Sequence, residues 1–172
     1  IFKEWPESAV VLAILALMLA ACRAGVSGDL GTQQNPIKMY FVPSLEAARV
    51  LTNGDKVAAA LEKSTGLRFK TAVPTNYAAV IEAMGSDEAD IAWLPTFAYV
   101  LAHDRSGADV ALTTTRNGLE TYTGAIIARA DSGIRTIDDC NGKRVAWVDP
   151  ASASGFNYPL ALFMRRGVKP ST

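Results

Sequence analysis

Two kinds of apolar pattern divide the chain. Residues 9–21 read AVVLAILALMLAA without a polar side chain, whereas from Ile37 onward short apolar runs alternate with stretches whose apolar positions recur every three or four residues. The first of these later patterns belongs to strands and the second to helices. Runs at 37–42, 67–73, 89–94 and 108–113 predict four strands. Between them lie three predicted helices, over 46–64, from Thr75 or Asn76 to Met84, and over 97–104. Ala47, Val50, Leu51, Val57, Ala60 and Leu61 form the apolar stripe of the first helix, Thr52-Asn53-Gly54-Asp55 is a candidate break in it, and Gly66 is its expected C-terminal cap. This alternation implies an α/β fold with a largely parallel sheet covered by helices. A second cycle begins near Tyr122, with strands expected over 122–130 and 144–148 and a helix over 156–166. The expected division is a first lobe at 37–120 and the start of a second, truncated lobe at 121–172.

The apolar run 9–21 is shorter than the roughly 20 residues that a bilayer-spanning helix needs, and it has the length of a signal-peptide core. It closes on Leu19-Ala20-Ala21-Cys22, which resembles a bacterial lipobox. That resemblance makes 1–21 a lipoprotein signal peptide, Cys22 the lipid-attachment residue, and the product an exported, membrane-anchored protein facing the periplasm or cell exterior. An ordinary signal peptide, or a buried helix with a chance cysteine, is the alternative. The chain opens on Ile1, with Lys3 against Glu4 and Glu7, so its native start is expected to lie further upstream. Residues 22–36, rich in Gly, Ser, Gln and Asn, have the composition of a flexible tether. With Cys22 lipidated, Cys140 has no disulfide partner and reads as a buried, inert thiol. Seventeen basic residues balance 17 acidic ones, which gives no reason to expect nucleic acid or an acidic membrane surface as a partner. A monomer is expected.

In an open parallel sheet, ligands sit beyond the carboxyl ends of the strands. The loops there contain Pro43-Ser44, Pro74-Thr75-Asn76-Tyr77, Pro95-Thr96-Phe97, Thr114-Thr115-Arg116-Asn117 and 149–155, read DPASASG. Hydroxyls, amides and aromatic rings dominate, an inventory suited to a hydrogen-bonding cradle. Ser152-Ala153-Ser154-Gly155 precedes an apolar helical pattern, and the free N–H groups at a helix start attract anions. Capping of that helix by Ser152 or Ser154 explains the same serines equally well. Tyr77 either donates its hydroxyl to a ligand or packs on the sheet, and among Trp93, Phe97 and Tyr99 at least two are expected to be core. Arg116 is read as a surface residue near a strand end. His103 follows an apolar helix face and reads as a surface or capping residue. HExxH, CxxC, GxSxG and Walker-type loops are absent from the sequence, as is any metal-ligand spacing, so no catalysis, metal or cofactor is expected. Asp138 and Asp139 have the look of a solvated turn.

The wording of five segments is similar to the phosphate/phosphite/phosphonate solute-binding proteins of ABC transporters. They are NYAAVIEAM at 76–84, ADIAW at 89–93, YVLAHD at 99–104, RADSGI at 129–134 and VDPASASG at 148–155. The resemblance runs from about Ile37 to Pro170 and implies a two-lobed, type II periplasmic-binding-protein fold that closes on its ligand. It implies that Tyr77 hydrogen-bonds a small oxyanion from the first lobe and that Ser152, Ala153, Ser154 and Gly155 cradle its oxygens from the second. Ser44, Thr96, Phe97 and Tyr122 would line the cleft, and the closed form would be presented to an ABC permease. Two departures stand out. Ala153 replaces a usual threonine, and Leu94-Pro95-Thr96 stands where Gly-Pro is typical. Carboxylates that recognise the amine of aminophosphonates lie later in such proteins than Thr172. A sensor domain of the same fold, and a transport protein for a ligand without phosphorus, are the alternative readings.

Overall fold

The computed structural model describes residues 28–171. The expected signal peptide and Cys22 lie outside the described residues. Three strands, β1 (Ile37–Phe41), β2 (Phe69–Ala72) and β3 (Ile91–Trp93), form one parallel sheet in the order β2-β1-β3. Three helices follow them in turn: α1 (Ala47–Thr65), α2 (Tyr77–Gly85) and α3 (Thr96–Ser106). A turn of 3-10 helix at Asp138–Cys140, a π-helical turn at Ala153–Asn157 and helix α4 (Tyr158–Arg165) complete the regular elements.

β1 is central because its backbone is paired on both edges. Ile37 aligns with Phe69 and Tyr40 with Ala72 on one side, and Met39 aligns with Ile91 and Phe41 with Trp93 on the other. The β1–β3 ladder is closed at its entry by Asp90, whose N–H donates to the Lys38 carbonyl at 2.9 Å while its carboxylate accepts from the Lys38 N–H at 2.8 Å. Ile37, Met39 and Phe41 alternate with Lys38 and Tyr40, which sends the two sets to opposite faces. On one face, Tyr40, Val42, Ala92 and Leu94 pack with Tyr77, Val80, Ile81, Ala98 and Ala102 of α2 and α3. On the other, α1 crosses β1 and β2. Phe41 stacks with Trp93 there, ring centroids 5.9 Å apart.

The candidate break in the first helix is not a break. α1 is continuous through Thr52-Asn53-Gly54-Asp55, and Gly54 is buried against Phe41. Gly66 caps α1 in the left-handed conformation (φ 75°), its N–H donating to the Glu62 carbonyl. Residues read as tether are tied to the sheet at their end. Gly31 N–H donates to the Asn35 carbonyl, Arg68 N–H to the Gly31 carbonyl, and Ile37 N–H to the Arg68 carbonyl, each at 2.8 Å.

The later predicted strands differ from the structure. Residues 108–113, 122–130 and 144–148 join no sheet, and the ladder stops at β3. Strand propensity alone does not hold a strand, since its N–H and C=O groups need a neighbour in register; among the described residues 108–113 and 122–130 pair with no strand, and 144–148 has only an isolated bridge at Arg144. Leu112 and Ile127 are accordingly 91% and 89% exposed. The second cycle is represented by a smaller core, in which Cys140, Phe163 and Val168 pack with Ile134, Ile137, Val145 and Trp147. One isolated parallel bridge, Arg144 with Ser171, runs beside it.

Gly54 supports a test with opposing terms. A methyl group there would stand 2.6 Å from Phe41 Cε2, an overlap expected to cost about 1–3 kcal/mol. Helix propensity favours alanine by about 1 kcal/mol. Gly54→Ala is therefore expected to lower the urea midpoint, and a raised midpoint would show that Phe41 yields freely.

Candidate functional site

Parallel pairing sends the carboxyl ends of β1, β2 and β3 to one edge, where the N-termini of α2 and α3 also lie. Asn76 opens α2 as its cap, its side-chain oxygen accepting from the Ala79 N–H at 2.8 Å. This fixes Tyr77 at the first helical position, 3% exposed and within the main core.

The 149–157 loop reaches the same place from a distant part of the chain. Asp149 accepts the Tyr77 N–H at 3.3 Å through Oδ2 and the Ala151 N–H at 2.8 Å through Oδ1. Ala151 is buried in the same core as Tyr77, Val80 and Ala98. Ser152 accepts the Gly155 N–H through Oγ at 3.1 Å. Asn157 donates through Nδ2 to the carbonyls of Pro150 (2.9 Å) and Ser152 (3.1 Å), holding the loop closed on itself. Gly155 is required for space, because a Cβ there would lie 2.5 Å from Val148 Cγ2. The helical turn opens at Ala153, so the N–H groups of Ala153 and Ser154 have no acceptor within it.

Hydroxyls gather around this turn. Tyr122 donates to Ser154 Oγ at 3.0 Å, and Arg116 lies over the Tyr122 ring with Cζ 5.2 Å from its centroid. Arg116 and Leu119 exchange backbone hydrogen bonds at 2.8 and 3.0 Å around Asn117-Gly118, both at positive φ (52° and 76°), the geometry of a type I′ turn. The Tyr77 phenol is held above its ordinary pKa of about 10, first by burial and then by the negative charge of Asp149, with a smaller push from Tyr122; a hydrogen bond with Ser152 works the other way. A phenol kept protonated is a donor.

Of the nine residues singled out from the sequence, the structure brings six together: Tyr77, Ser152, Ala153, Ser154, Gly155 and Tyr122. Thr96 and Phe97 are exposed in the first turn of α3, the helix that lies against the 153–157 turn, and make no side-chain hydrogen bond to the cluster. Ser44 is elsewhere, in an open groove with Phe41, Leu45, Val50, Gly54 and Trp93. Ser152 caps the turn, as one of its two readings expected, and also touches Tyr77. Asp149 was not a candidate on sequence grounds, because an acid's partners here are two backbone N–H groups that carry no signature of their own. His103, in the last turn of α3, has Nδ1 3.0 Å from the Ala108 carbonyl, a surface position. Cys140 is buried. No cluster of metal-ligating side chains occurs among the described residues.

The family described as ABC transporter, phosphonate, periplasmic substrate-binding protein matches residues 39–172. The chain belongs to that family. It is 32% identical over 171 residues to the phosphate-import protein PhnD of Mycolicibacterium smegmatis, covering 95% of this chain and 53% of that protein. It is also 32% identical over 104 residues to the phosphonates-binding periplasmic protein of Escherichia coli, covering 58% of this chain and 31% of that one. Among solved structures, the binding component of an ABC phosphonate transporter from Pseudomonas aeruginosa superposes with a TM-score of 0.71 at 27% identity, over 78% of this chain and 46% of the other. PhnD1 of Prochlorococcus marinus, solved with methylphosphonate, has a TM-score of 0.57 at 16% identity over 77% of this chain and 51% of the other, and shows likeness of fold. The fold is the type II periplasmic-binding-protein architecture. The chain spans about half the length of the M. smegmatis relative.

The Tyr77 phenol gives a pH prediction. Its folded-state pKa is raised, so its contribution to stability is complete below the unfolded value near 10 and is lost as pH climbs through the folded one. Wild-type stability is expected to fall more steeply above pH 10 than that of Tyr77→Phe, as read from urea midpoints across alkaline buffers. Parallel curves for the two proteins would remove the buried phenol from the titration.

Proposed function

We propose that this chain is part of the substrate-binding component of an ABC importer and takes a small oxyanion, a phosphonate, phosphite or phosphate, at the Tyr77 and Ser152–Gly155 cluster. The observation that carries the reading is the convergence of Tyr77 with the 152–155 turn, across more than 70 residues of sequence, at the carboxyl edge of a parallel sheet. The relatives named above import phosphate or bind phosphonates, which supports the ligand class. Groups able to donate gather at the cluster: the Tyr77, Tyr122, Ser152 and Ser154 hydroxyls, and the Ala153 and Ser154 N–H groups, with Arg116 beside Tyr122. Such a set suits anionic oxygens, which it would hold by charge-assisted hydrogen bonds.

In this reading no bond is made or broken. The oxyanion enters between the Tyr77 side and the 152–155 side, the two lobes, 37–120 and 121–172, close upon it, and the closed form is offered to the permease. Selectivity then comes from donor count, since each donor left unpaired by a misshapen anion costs about 1–3 kcal/mol. Loss of the threonine hydroxyl at Ala153 shifts weight to the N–H groups and to Ser154. Thr96, Phe97 and Ser44 are peripheral to the site. Anchoring through a lipidated Cys22, with the protein monomeric at the outer face of the membrane, completes the proposal.

Calorimetric titration of the full-length, lipid-free protein with methylphosphonate, 2-aminoethylphosphonate, phosphite and phosphate tests it. Tight binding of one of the four is expected, and Ser154→Ala should weaken it about tenfold, equivalent to one lost hydrogen bond to a charged group of about 1.5 kcal/mol. No heat from any of the four would sink the ligand class. Turnover of the bound compound, followed by phosphorus NMR, would replace the binding reading with an enzymatic one.

A further inference from the structure

We infer that Asp149 is a positioning residue of the cleft, setting the spacing between Tyr77 and the Ser152–Gly155 turn without touching the ligand; the inference rests on the binding reading above. Its two carboxylate oxygens are divided between the two halves of the site. Oδ2 accepts from the N–H of Tyr77, the first residue of α2, and Oδ1 from the N–H of Ala151, the residue before Ser152. The Asp149 carbonyl adds a third tie by accepting the Ser152 N–H at 2.8 Å. One side chain thus joins a helix start on the first sheet to the loop that carries the serines.

Packing makes the tie directional. Ala151 is buried beside Tyr77 and Val80, so the loop is seated on the α2 side of the molecule rather than on the Phe163 core. Beyond Ser152, the Asn157 amide and the Gly155 N–H fix the turn internally, so its distance from α2 is set by the Asp149 carboxylate together with the Tyr77–Ser152 contact. The Tyr77 phenol from α2 feels the Asp149 charge, while Tyr122 acts on that phenol and carries Arg116 over its own ring. No lysine, arginine or histidine forms an ion pair with Asp149 among the described residues; its partners are N–H groups. The carboxylate also occupies an N–H at the positive end of α2, where the helix dipole favours it.

A residue that holds two halves of a cleft together acts on ligand escape more than on ligand entry. Stopped-flow binding of methylphosphonate, or of whichever oxyanion of the panel binds, to the full-length protein separates the two. Asp149→Ala is expected to raise the dissociation rate about tenfold, the equivalent of one charge-assisted hydrogen bond, with association changed less than about threefold. Asp149→Asn keeps one acceptor oxygen and should fall between Ala and wild type, and its near-isosteric side chain keeps the test available if Ala fails to fold. Asp139→Ala is the comparison. Asp139 accepts the N–H groups of Arg135 and Thr136 at 3.0 and 2.8 Å in an exposed turn, so its loss costs stability with no expected change in dissociation. Unchanged dissociation in both Asp149 variants would overturn the inference. So would an Asp139→Ala variant that releases ligand as fast as Asp149→Ala at a matched loss of melting temperature. A wild type that binds none of the four oxyanions would instead overturn the function on which the inference stands.

Discussion

Everything in the described structure that bears on function depends on β1 being paired in parallel on both edges. Parallel pairing with β2 and β3 forces each connection to cross back over a face, which is why α1 and α2 are where they are. It also gathers the strand ends on one side. Once Ala72 finishes beside Tyr40 and Trp93 beside Phe41, the N-termini of α2 and α3 open at the same edge, and a loop docking there meets Tyr77 whatever its distance in sequence. The cluster of hydroxyls is a consequence of this topology before it is a consequence of any motif.

The second requirement is that the 149–157 loop stay on that edge. Burial of Ala151 contributes non-directional attachment, and Asp149 contributes direction by choosing which two N–H groups it accepts. Gly155 then allows the turn to pass tightly over Val148. Each feature is small, about 1–2 kcal/mol for a hydrogen bond or a methyl-sized burial. Together they hold the 152–155 turn beside Tyr77.

Local signals explain why parts of this were legible in the sequence. Gly66 and Asn76 announce helix ends because their conformational roles are set by neighbours three or four residues away. Tyr77 and Ser152–Gly155 stood out as strand-end loops joined to helix starts, and the family wording pointed the same way. The strands expected at 108–113 and 122–130 fail for the opposite reason, since a strand exists only through a partner and apolar alternation does not supply one. Gly54 reads as a helix breaker until Phe41 is seen beneath it. Asp149 was invisible because its role is defined by an amide 72 residues earlier in the chain.

Ser44 shows the limit of reasoning from strand ends alone. It follows β1 as Thr75-Asn76 follow β2, yet its N–H turns back to the Val42 carbonyl at 2.8 Å, and the side chain faces the Phe41–Trp93 groove. The two faces of a parallel sheet share one carboxyl edge, so a loop leaving that edge can serve either. What separates Ser44 from Tyr77 is the direction in which the following helix departs: α1 crosses the Phe41 face, and α2 crosses the Tyr40 face. The candidate site therefore belongs to the face carrying α2 and α3, and the hydroxyl at the end of β1 falls outside it for a topological reason that no count of polar residues would reveal.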